Sequence, residues 1–320
     1  MEYSVAIRTL GKAGDKYRRL LESINAQSCK PAKIVVYIAD GYEIPTESIG
    51  IEQYVYVAKG MVAQRALKYE EIDTEYILFL DDDVELKSDS VERMYNALMD
   101  FHADVIAPDV FDNSNRPFLT KLAMLMTGRM LPRRDDGEWA YKIIRTGGYS
   151  YNNRPRKSVY RSQTNAGPCF FCRKSVFMDI RFDEELWLDM MPYALGDDQA
   201  MFYKMHLYGY KVLTIFDSGI KHLDAGSTLK SYDKVKMLAY CDLRFKCVFW
   251  HRFIYIVERN KMRRILAMLG ISYYVLIVLL ASVLKFNIDM LKIKVSAIKD
   301  SYAFIMSDTY RLLPPLKSMS

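Results

Sequence analysis

Three consecutive aspartates, Asp81, Asp82 and Asp83, follow directly on the apolar run 76–80. Ionised carboxylates side by side repel one another, so their clustering favours a site where a cation compensates their charge. Carboxylate oxygens suit Mg²⁺ or Mn²⁺, which proteins often bind together with the phosphate oxygens of a substrate. An acidic turn, or a cap for the next helix, is the structural alternative. The position after an apolar strand favours the metal–phosphate interpretation, because α/β folds bind ligands at the carboxyl ends of strands.

A second acidic pair, Asp197 and Asp198, stands after Gly196 at the start of a predicted helix. Helix capping uses one acid, and two exceed what a single cap needs. A carboxylate here could act as general base in a reaction at a phosphate-linked carbon. His222 ends a later predicted strand and is one of four histidines. It is either a structural residue or a ligand for metal or phosphate.

The elements that would position these residues alternate between strands and helices. The run 76–80 carries no charge, which predicts a strand buried on both faces. Further strands are predicted at 4–9, 33–39, 54–57, 103–110, 167–173 and 211–216, and helices at 17–26, 61–72, 88–101, 174–180 and from 197 to about 207. Ser88 or Ser90 is the expected cap of the third helix. This order predicts an α/β fold with a mostly parallel sheet and helices on both faces. Thr9 and Asp40 end or follow their strands, which makes the carboxyl edge of the sheet the expected binding edge.

Residues 111–166 are rich in Pro, Arg, Asn, Gly and Tyr and show little periodicity. A long stretch of this kind inside a compact domain is usually functional, which predicts a lid or a substrate platform. The segment 142–161, with Trp187 nearby, offers aromatic rings that could form such a platform. Cys169 and Cys172 have zinc-like internal spacing, but no second pair of ligands stands at a suitable distance, so we interpret them as core residues.

The composition is that of an ordered globular protein, with 51% apolar and 26% charged residues. The net charge of +6 is unevenly distributed, because the residues from 225 onwards carry sixteen Lys or Arg against six Asp or Glu. The basic end of the chain favours an anionic surface as partner. Nucleic acid is disfavoured, since no basic stripe is interleaved with stacking aromatics. Five cysteines and the lack of a signal-like start predict a cytoplasmic protein with reduced thiols.

Residues 265–284 form an uncharged run of twenty residues within this basic region. As a helix the run would be about 30 Å long, which matches the hydrocarbon core of a bilayer. Both flanks are basic, so the charge distribution defines no orientation. The helix could span a membrane, lie in its interface, or pack against the catalytic domain or a partner subunit.

Taken together, these features resemble the inverting glycosyltransferase family 2, which has a GT-A-type nucleotide-sugar fold. The resemblance covers roughly residues 3–225. It is carried by an ordered set of short motifs, namely Thr9, Asp40-Gly41, Gly60 with Arg65, Leu80-Asp81-Asp82-Asp83, 166–173, Phe182-Asp183-Glu184, Gly196-Asp197-Asp198 and 209–212. The family implies transfer of a sugar from a nucleotide-diphosphate sugar with inversion at the anomeric carbon.

The resemblance also implies roles for single residues. The implied donor-binding set is Thr9, Asp40, Arg65, Asp81 and Asp82, and the implied metal-binding set is Asp83, Asp81 and His222. Within these sets Asp81 would lie towards the ribose, Asp83 would bind Mg²⁺ or Mn²⁺, and His222 would lie near the diphosphate. Asp198 matches the catalytic base. Asp197 stands where glutamate is usual, so either of the two could be the base.

The resulting hypothesis is a glycosyltransferase of the hexosyltransferase type that acts on a glycan or lipid-linked glycan, in polysaccharide or cell-envelope synthesis at the cytoplasmic face of the membrane. The expected domains are a catalytic domain, 1–228, and a basic, apolar helical tail, 229–320. Residues 1–110 would bind the nucleotide sugar and 111–228 the acceptor. A nucleotidyltransferase of similar fold is one alternative, which would need an early basic residue such as Arg8 or Lys12 to grip phosphate. A non-catalytic membrane scaffold is the other.

Overall fold

The computed structural model describes residues 1–111, 117–223 and 231–317. Its strands are β1 (Tyr3–Thr9), β2 (Lys33–Ala39), β3 (Glu52–Val57), β4 (Tyr76–Asp81), β5 (Val84–Leu86), β6 (Val105–Pro108), β7 (Met130–Arg133), β8 (Trp139–Ile143), β9 (Tyr149–Asn152), β10 (Val159–Ser162), β11 (Cys169–Arg173), β12 (Val212–Ile215) and β13 (Ile220–His222). The α-helices are α1 (Asp15–Asn25), α2 (Ser90–Asp100), α3 (Phe118–Met126), α4 (Lys174–Asp179), α5 (Asp197–Leu207), α6 (Tyr232–Phe249), α7 (Lys261–Leu284), α8 (Ile288–Met306) and α9 (Asp308–Arg311). A 3₁₀ helix spans Phe182–Met190, and α6 continues into a π-helical turn, Trp250–Tyr255.

One large sheet holds most of the strands, in the order β3-β2-β1-β4-β11-β6-β12-β10-β8-β9-β7. The first four are mutually parallel, and β11 enters antiparallel between β4 and β6. A separate ribbon pairs β13 with β5, directly after the aspartate triplet. The predicted α/β class with a largely parallel sheet is confirmed.

Alternate residues of the central strands enter two cores, one on each face of the sheet. On β4, Ile77 and Phe79 belong to one core, and Leu78 and Leu80 belong to the other. Helices α1 and α2 cover the second core, while α4, α5 and α6 cover the first. Burial on both faces explains why β4 is continuously apolar.

The helix predicted at 61–72 is wrong. Residues 61–65 form a short turn, and the backbone leaves it before Tyr69, which has a positive φ of 53°. The Asp189 carboxylate accepts hydrogen bonds from the backbone N–H groups of Val62 and Ala63, at 3.1 and 2.8 Å. These N–H groups belong to the first turn and have no partner within a helix, so Asp189 caps a turn that ends before Tyr69. The cap prediction is also wrong, because Asp89 precedes α2 and neither Ser88 nor Ser90 is the N-cap.

The predicted irregular platform at 111–166 contains regular structure. It comprises α3 and the strands β7, β8, β9 and β10, which extend the large sheet at one edge. These strands have four or five residues each. Such short strands give too few alternations for the period to be read from sequence.

The C-terminal helices pack on the sheet through α6. Phe245, Phe249 and Phe253 are fully buried in the first core. The domain boundary expected at 228 falls at 224–230, outside the described residues. In the described part of the chain, α7 is the one helix long and apolar enough to cross a membrane, and 22% of its most apolar window is buried.

Candidate active site

The register between β1 and β4 places Arg8 opposite Asp81 at the carboxyl edge of the sheet. Arg8 Nη2 donates to Asp81 Oδ2 at 2.9 Å, and Arg8 Nε donates to the other carboxylate oxygen. The remaining nitrogen, Nη1, donates to the Met61 carbonyl oxygen at 2.8 Å. Arg8 is thereby fixed against the first aspartate of the triplet.

Arg65 joins this pair to the second acidic centre. Its Nη1 lies 2.6 Å from Asp198 Oδ1, and its Nη2 donates to the Gly167 carbonyl oxygen at 2.8 Å. Asp197 Oδ2 lies 3.4 Å from Arg65 and 3.5 Å from Arg8. Two guanidinium groups therefore hold three carboxylates in one cluster, and the two acidic motifs predicted separately form a single site.

The two sides of the cluster differ in electrostatics. Burial alone would raise the pKa of Asp81, but the charge and hydrogen bonds of Arg8, aided by Arg65, bring that pKa below its ordinary value. Burial and the adjacent Asp198 charge raise the pKa of Asp197 to about 6, against the attraction of both arginines. Asp198 is the more accessible of the pair, with 30% of its side chain exposed against 4% for Asp197. Asp198 is thus the acid that a bound acceptor could reach.

Gly167 permits the close approach of Asp198. A Cβ atom at this position would overlap the Asp198 carboxylate and lie 2.8 Å from Arg65 Nη1. A larger residue would therefore displace the candidate base.

The donor-binding residues predicted at the strand ends share this edge. Thr9 is buried, and its hydroxyl donates to Asp82 Oδ2 while accepting from the Gly11 N–H. Asp40 follows β2 next to β1 and is exposed. Burial, with the charges of the neighbouring aspartates, raises the pKa of Asp82 to about 6. Arg65 instead lies in the carboxylate cluster, 3% exposed.

Asp83 and His222 meet where β5 pairs with β13. His222 Nε2 lies 3.0 Å from Asp83 Oδ2. Over residues 1–111, 117–223 and 231–317, no group of three or more His, Cys, Asp or Glu side chains is arranged to hold a metal ion. The chemistry of this pair fits a divalent cation that takes its other ligands from a diphosphate and water, because Mg²⁺ in phosphate sites commonly uses one or two protein ligands. Asp81, the third predicted ligand, is engaged by Arg8.

Comparison with known proteins identifies the family of the chain. A sequence profile described as glycosyl transferase family 2 matches residues 4–181, more than half of the chain. The chain belongs to glycosyl transferase family 2. The matched residues include Arg8, Arg65 and the aspartate triplet, whereas Asp197 and Asp198 lie beyond them. With this membership, the α/β sheet described above is confirmed as GT-A-like.

Among solved structures, the crystal structure of GalNAc-T7 with UDP, GalNAc and Mn²⁺ is similar, with a TM-score of 0.49 and 12% sequence identity. The match covers 86% of this chain and 56% of that chain, so the family 2 chain spans little more than half of that protein's length. No curated protein sequence matches this chain.

The sequence patterns did not identify several residues of this site. Arg8 was considered only as a phosphate ligand of a nucleotidyltransferase, and its engagement by Asp81 leaves Lys12 as the one remaining basic residue named for that alternative. The available signal was that Arg8 is the only charged residue in the otherwise uncharged strand 3–9. Asp189 and Lys246 were not singled out, because their partners lie far away in sequence. Lys246 Nζ donates to Gln199 Oε1 at 3.0 Å and so holds the helix that begins with Asp197 and Asp198.

The suggested role of Trp187 in the acceptor platform is wrong. Its indole is buried in the first core, where Nε1 donates to Glu185. Cys169 and Cys172 are buried on opposite faces of β11, in agreement with their interpretation as core residues.

Proposed function

We propose that this protein is a metal-dependent, inverting glycosyltransferase of the hexosyltransferase type. It would move a sugar from a nucleotide-diphosphate sugar to a hydroxyl group of a glycan or lipid-linked glycan. One observation carries the proposal. In this family 2 chain, Arg65 links the aspartate triplet to Asp198, a carboxylate that is partly exposed.

The reaction would be a single displacement. The acceptor oxygen forms a bond to the anomeric carbon while the bond from that carbon to the diphosphate oxygen breaks. A sugar hydroxyl holds its proton far above neutral pH, so Asp198 accepts that proton as the new bond forms. Arg65 fixes the Asp198 carboxylate in position through the contact of 2.6 Å.

The departing diphosphate would be held at the other side of the site. Asp83 and His222 would bind Mg²⁺ or Mn²⁺, which neutralises the charge that develops on the leaving group. Thr9, Asp40, Asp81 and Asp82 would contact the nucleoside part of the donor at the ends of β1, β2 and β4. Arg8 would keep the Asp81 carboxylate ionised.

We further propose a cytoplasmic location at the membrane face, in the synthesis of cell-envelope polysaccharide. The support is the surplus of Lys and Arg after residue 225 together with the apolar helix α7. Anionic lipids attract such basic segments. The catalytic division 1–228 and the tail 229–320 remain a prediction.

The experiment is a panel of sugar nucleotides, each added with Mn²⁺, with Mg²⁺ and with chelator, to the full chain. Thermal stabilisation and slow hydrolysis of the donor are both measured. We expect one nucleotide family to stabilise the protein in a metal-dependent way. Asp83→Asn should abolish the metal dependence, because the cation loses its carboxylate ligand.

Asp198→Asn is the matched variant for the base. It should retain metal-dependent donor binding but lower transfer to an acceptor by roughly 10²–10⁴-fold, the usual contribution of a general base. If no sugar nucleotide stabilises the folded protein in the presence of metal, the transferase proposal is overturned in favour of the scaffold. If Asp83→Asn responds normally, the metal assignment is wrong.

A further inference from the structure

Two helices expose apolar faces that adjoin on one side of the molecule. On α3, Phe118 and Leu119 are 75% and 76% exposed. On α7, the apolar side chains that are at least half exposed are Met262, Ile265, Leu269, Leu276, Val283 and Leu284. The Tyr273 hydroxyl on α7 donates to the Met126 carbonyl oxygen at the end of α3, at 2.7 Å. We call these exposed faces together the α3–α7 surface.

The rest of the protein holds α7 along its length. Trp250 Nε1 donates to the Ala267 carbonyl oxygen at 3.1 Å, and Lys294 Nζ on α8 donates to the Val278 carbonyl oxygen at 3.0 Å. The contact of Tyr273 with α3 lies between these two. A helix fixed along one face, with its other face apolar and exposed, has the arrangement of an interfacial helix.

A pocket of about 700 Å³ opens between α3, α6, α7 and α8. This volume lies within the range of sites that enclose a small-molecule ligand. Its apolar lining includes Met124 from α3, Leu238 from α6 and Val278 from α7. On α3, Ala123 of the pocket lies one helical turn from the exposed Leu119, so the pocket borders the α3–α7 surface at that helix. Its apolar walls are suited to an aliphatic chain.

The pocket also carries a surplus of positive charge. Arg129 Nη2 pairs with Asp242 Oδ1 at 2.8 Å, and Asp242 is the only acid among the described lining residues. Lys234 and Lys294 add two further cations. Burial, more than the charge of Lys285, holds the pKa of Lys294 below its ordinary value. Three cations against one acid leave a positive potential in the pocket. An anionic group would relieve that potential.

The lining continues towards the candidate base. Tyr193 and Leu195 line the pocket, and Leu195 stands two residues before Asp197. After burial, the charge of Asp197 and, more weakly, that of Asp198 raise the pKa of Tyr193. The Tyr193 hydroxyl is therefore within electrostatic reach of the catalytic acids.

We propose that this pocket binds the anionic head group and the adjoining aliphatic chain of a membrane lipid that carries the acceptor, while the α3–α7 surface lies in the leaflet that supplies it. The inference rests on the proposed function, because it assigns the acceptor of the same transfer. The hydroxyl that attacks belongs to the glycan on that head group, and its proton goes to Asp198 as the anomeric bond to the diphosphate breaks. The surplus lysines match a phosphate or phosphodiester, which forms charge-assisted hydrogen bonds.

A soluble anionic glycan is the competing occupant. It would satisfy the cations but would leave the apolar walls of the pocket and the α3–α7 surface facing water. The observations therefore favour the lipid, and the glycan becomes an outcome of the test.

The pocket is tested by thermal stabilisation of the full chain with dodecyl phosphate, dodecyl glucoside, inorganic phosphate and dextran sulfate, the amphiphiles being used below their micellar concentrations. We expect dodecyl phosphate to stabilise most, because it alone supplies both the charge and the chain. Ala239→Trp, which fills the pocket from α6, should abolish this stabilisation. Its unfolding temperature without ligand shows that the variant is folded.

The surface is tested by flotation with vesicles of phosphatidylcholine and phosphatidylglycerol. A variant with both Leu119→Ser and Leu276→Ser should bind the vesicles at least roughly tenfold more weakly, because two apolar side chains leave the bilayer. Leu312→Ser is the matched control, since Leu312 is 82% exposed and lies outside the α3–α7 surface. It should bind like the unaltered chain.

Three outcomes overturn the inference. They are equal stabilisation by dodecyl glucoside, stabilisation by dextran sulfate or inorganic phosphate that matches dodecyl phosphate, and undiminished flotation of the double variant. A chain that binds the amphiphile but responds to no sugar nucleotide would overturn the proposed function, while the pocket assignment as a lipid site would stand. The two failures are therefore distinguishable.

Discussion

At the scale of residues, the site is defined by two arginines shared among three aspartates. Arginine keeps its charge at any pH at which the protein folds, so Arg8 and Arg65 cannot be titrated out of the cluster. The carboxylates of the cluster can be protonated. Asp197 contacts both arginines, while Asp198 contacts only Arg65. The protonation of Asp197 therefore controls how strongly Arg65 holds the candidate base.

This arrangement predicts an acid limb in the transfer rate at about pH 6. Below its pKa of about 6, Asp197 is protonated and no longer competes for Arg65. Arg65 then pairs with Asp198 alone, and this stronger ion pair keeps the Asp198 carboxylate from the acceptor hydroxyl and weakens catalysis, so kcat should fall as the pH drops through 6. In Asp197→Asn the weakened state is permanent. We expect a kcat reduced by roughly tenfold at neutral pH and without a limb near pH 6.

Asp82 supplies the control, because its pKa is also about 6 but it contacts Thr9. The measurement is the pH profile of kcat at saturating donor for Asp82→Asn beside Asp197→Asn. Asp82→Asn should keep the limb, since it leaves Arg65 untouched. If Asp82→Asn lost the acid limb and Asp197→Asn kept it, the titrating group would be Asp82, in the donor-binding part of the site.

How far the site could be predicted follows from the same residues. Acids at the end of a strand or the start of a helix stand out in a sequence. An apolar run precedes the aspartate triplet, and a glycine precedes the acidic pair at the start of its helix. The pairing of Arg8 with Asp81 depends on the register between two strands 73 residues apart. No local pattern encodes such a register, so the arginines could not be assigned their role beforehand.

At the scale of elements, the turn that carries Arg65 depends on the 3₁₀ helix Phe182–Met190. Asp189 on that helix accepts from the N–H groups of Val62 and Ala63, so it caps the turn from a distance in sequence. Gly60 allows the approach, since a Cβ atom there would lie 2.8 Å from the Asp189 carboxylate carbon. The apolar spacing at 61–72 predicted a longer helix, but the capped turn ends before Tyr69, whose positive φ is incompatible with a continuing α-helix.

We therefore predict that Asp189→Ala lowers the free energy of unfolding by about 0.5–2 kcal/mol, the range for loss of a helix cap. It should also lower kcat, because the turn no longer holds Arg65 against Asp198. Asp183→Ala on the same 3₁₀ helix is the matched control. Asp183 is 44% exposed and pairs with Arg181, so its loss should cost less than about 0.5 kcal/mol. Urea unfolding and transfer assays measure both effects, and equal effects of the two variants would contradict the capping role.

The strands that extend the sheet at 130–162 show a second limit of sequence patterns. Each is short and carries Tyr, Arg, Lys or Asn beside its apolar residues. Asn152 and Ser150 are buried there and make hydrogen bonds to Asp135 and to the Lys142 carbonyl. Buried polar residues remove the simple apolar alternation, so a stretch with real strands was interpreted as irregular.

At the scale of the whole molecule, the basic C-terminal region is built into the catalytic body. The sequence correctly predicted helices and an apolar segment there. The composition of this region does not show which face of α6 is buried in the core. Glu185, fully buried on the 3₁₀ helix, contacts Lys204 on α5 at 2.9 Å and Arg252 at 2.8 Å. One buried carboxylate thus joins the body to the C-terminal helices through two cations.

The last prediction concerns this junction. Arg252→Leu leaves the buried Glu185 with Lys204 as its remaining cationic partner, and we expect the free energy of unfolding to fall by about 3–5 kcal/mol, as for other broken buried ion pairs. Arg311→Leu is the control, since Arg311 is 62% exposed and its pair with Asp308 should contribute under about 1 kcal/mol. Phe249 and Phe253 pack in the same core as one face of the sheet, so Arg252→Leu should unfold in a single transition at a lower temperature than the unaltered chain. Calorimetry that resolved an early transition of the helices, followed by an unshifted transition of the body, would instead make the C-terminal region an independent unit.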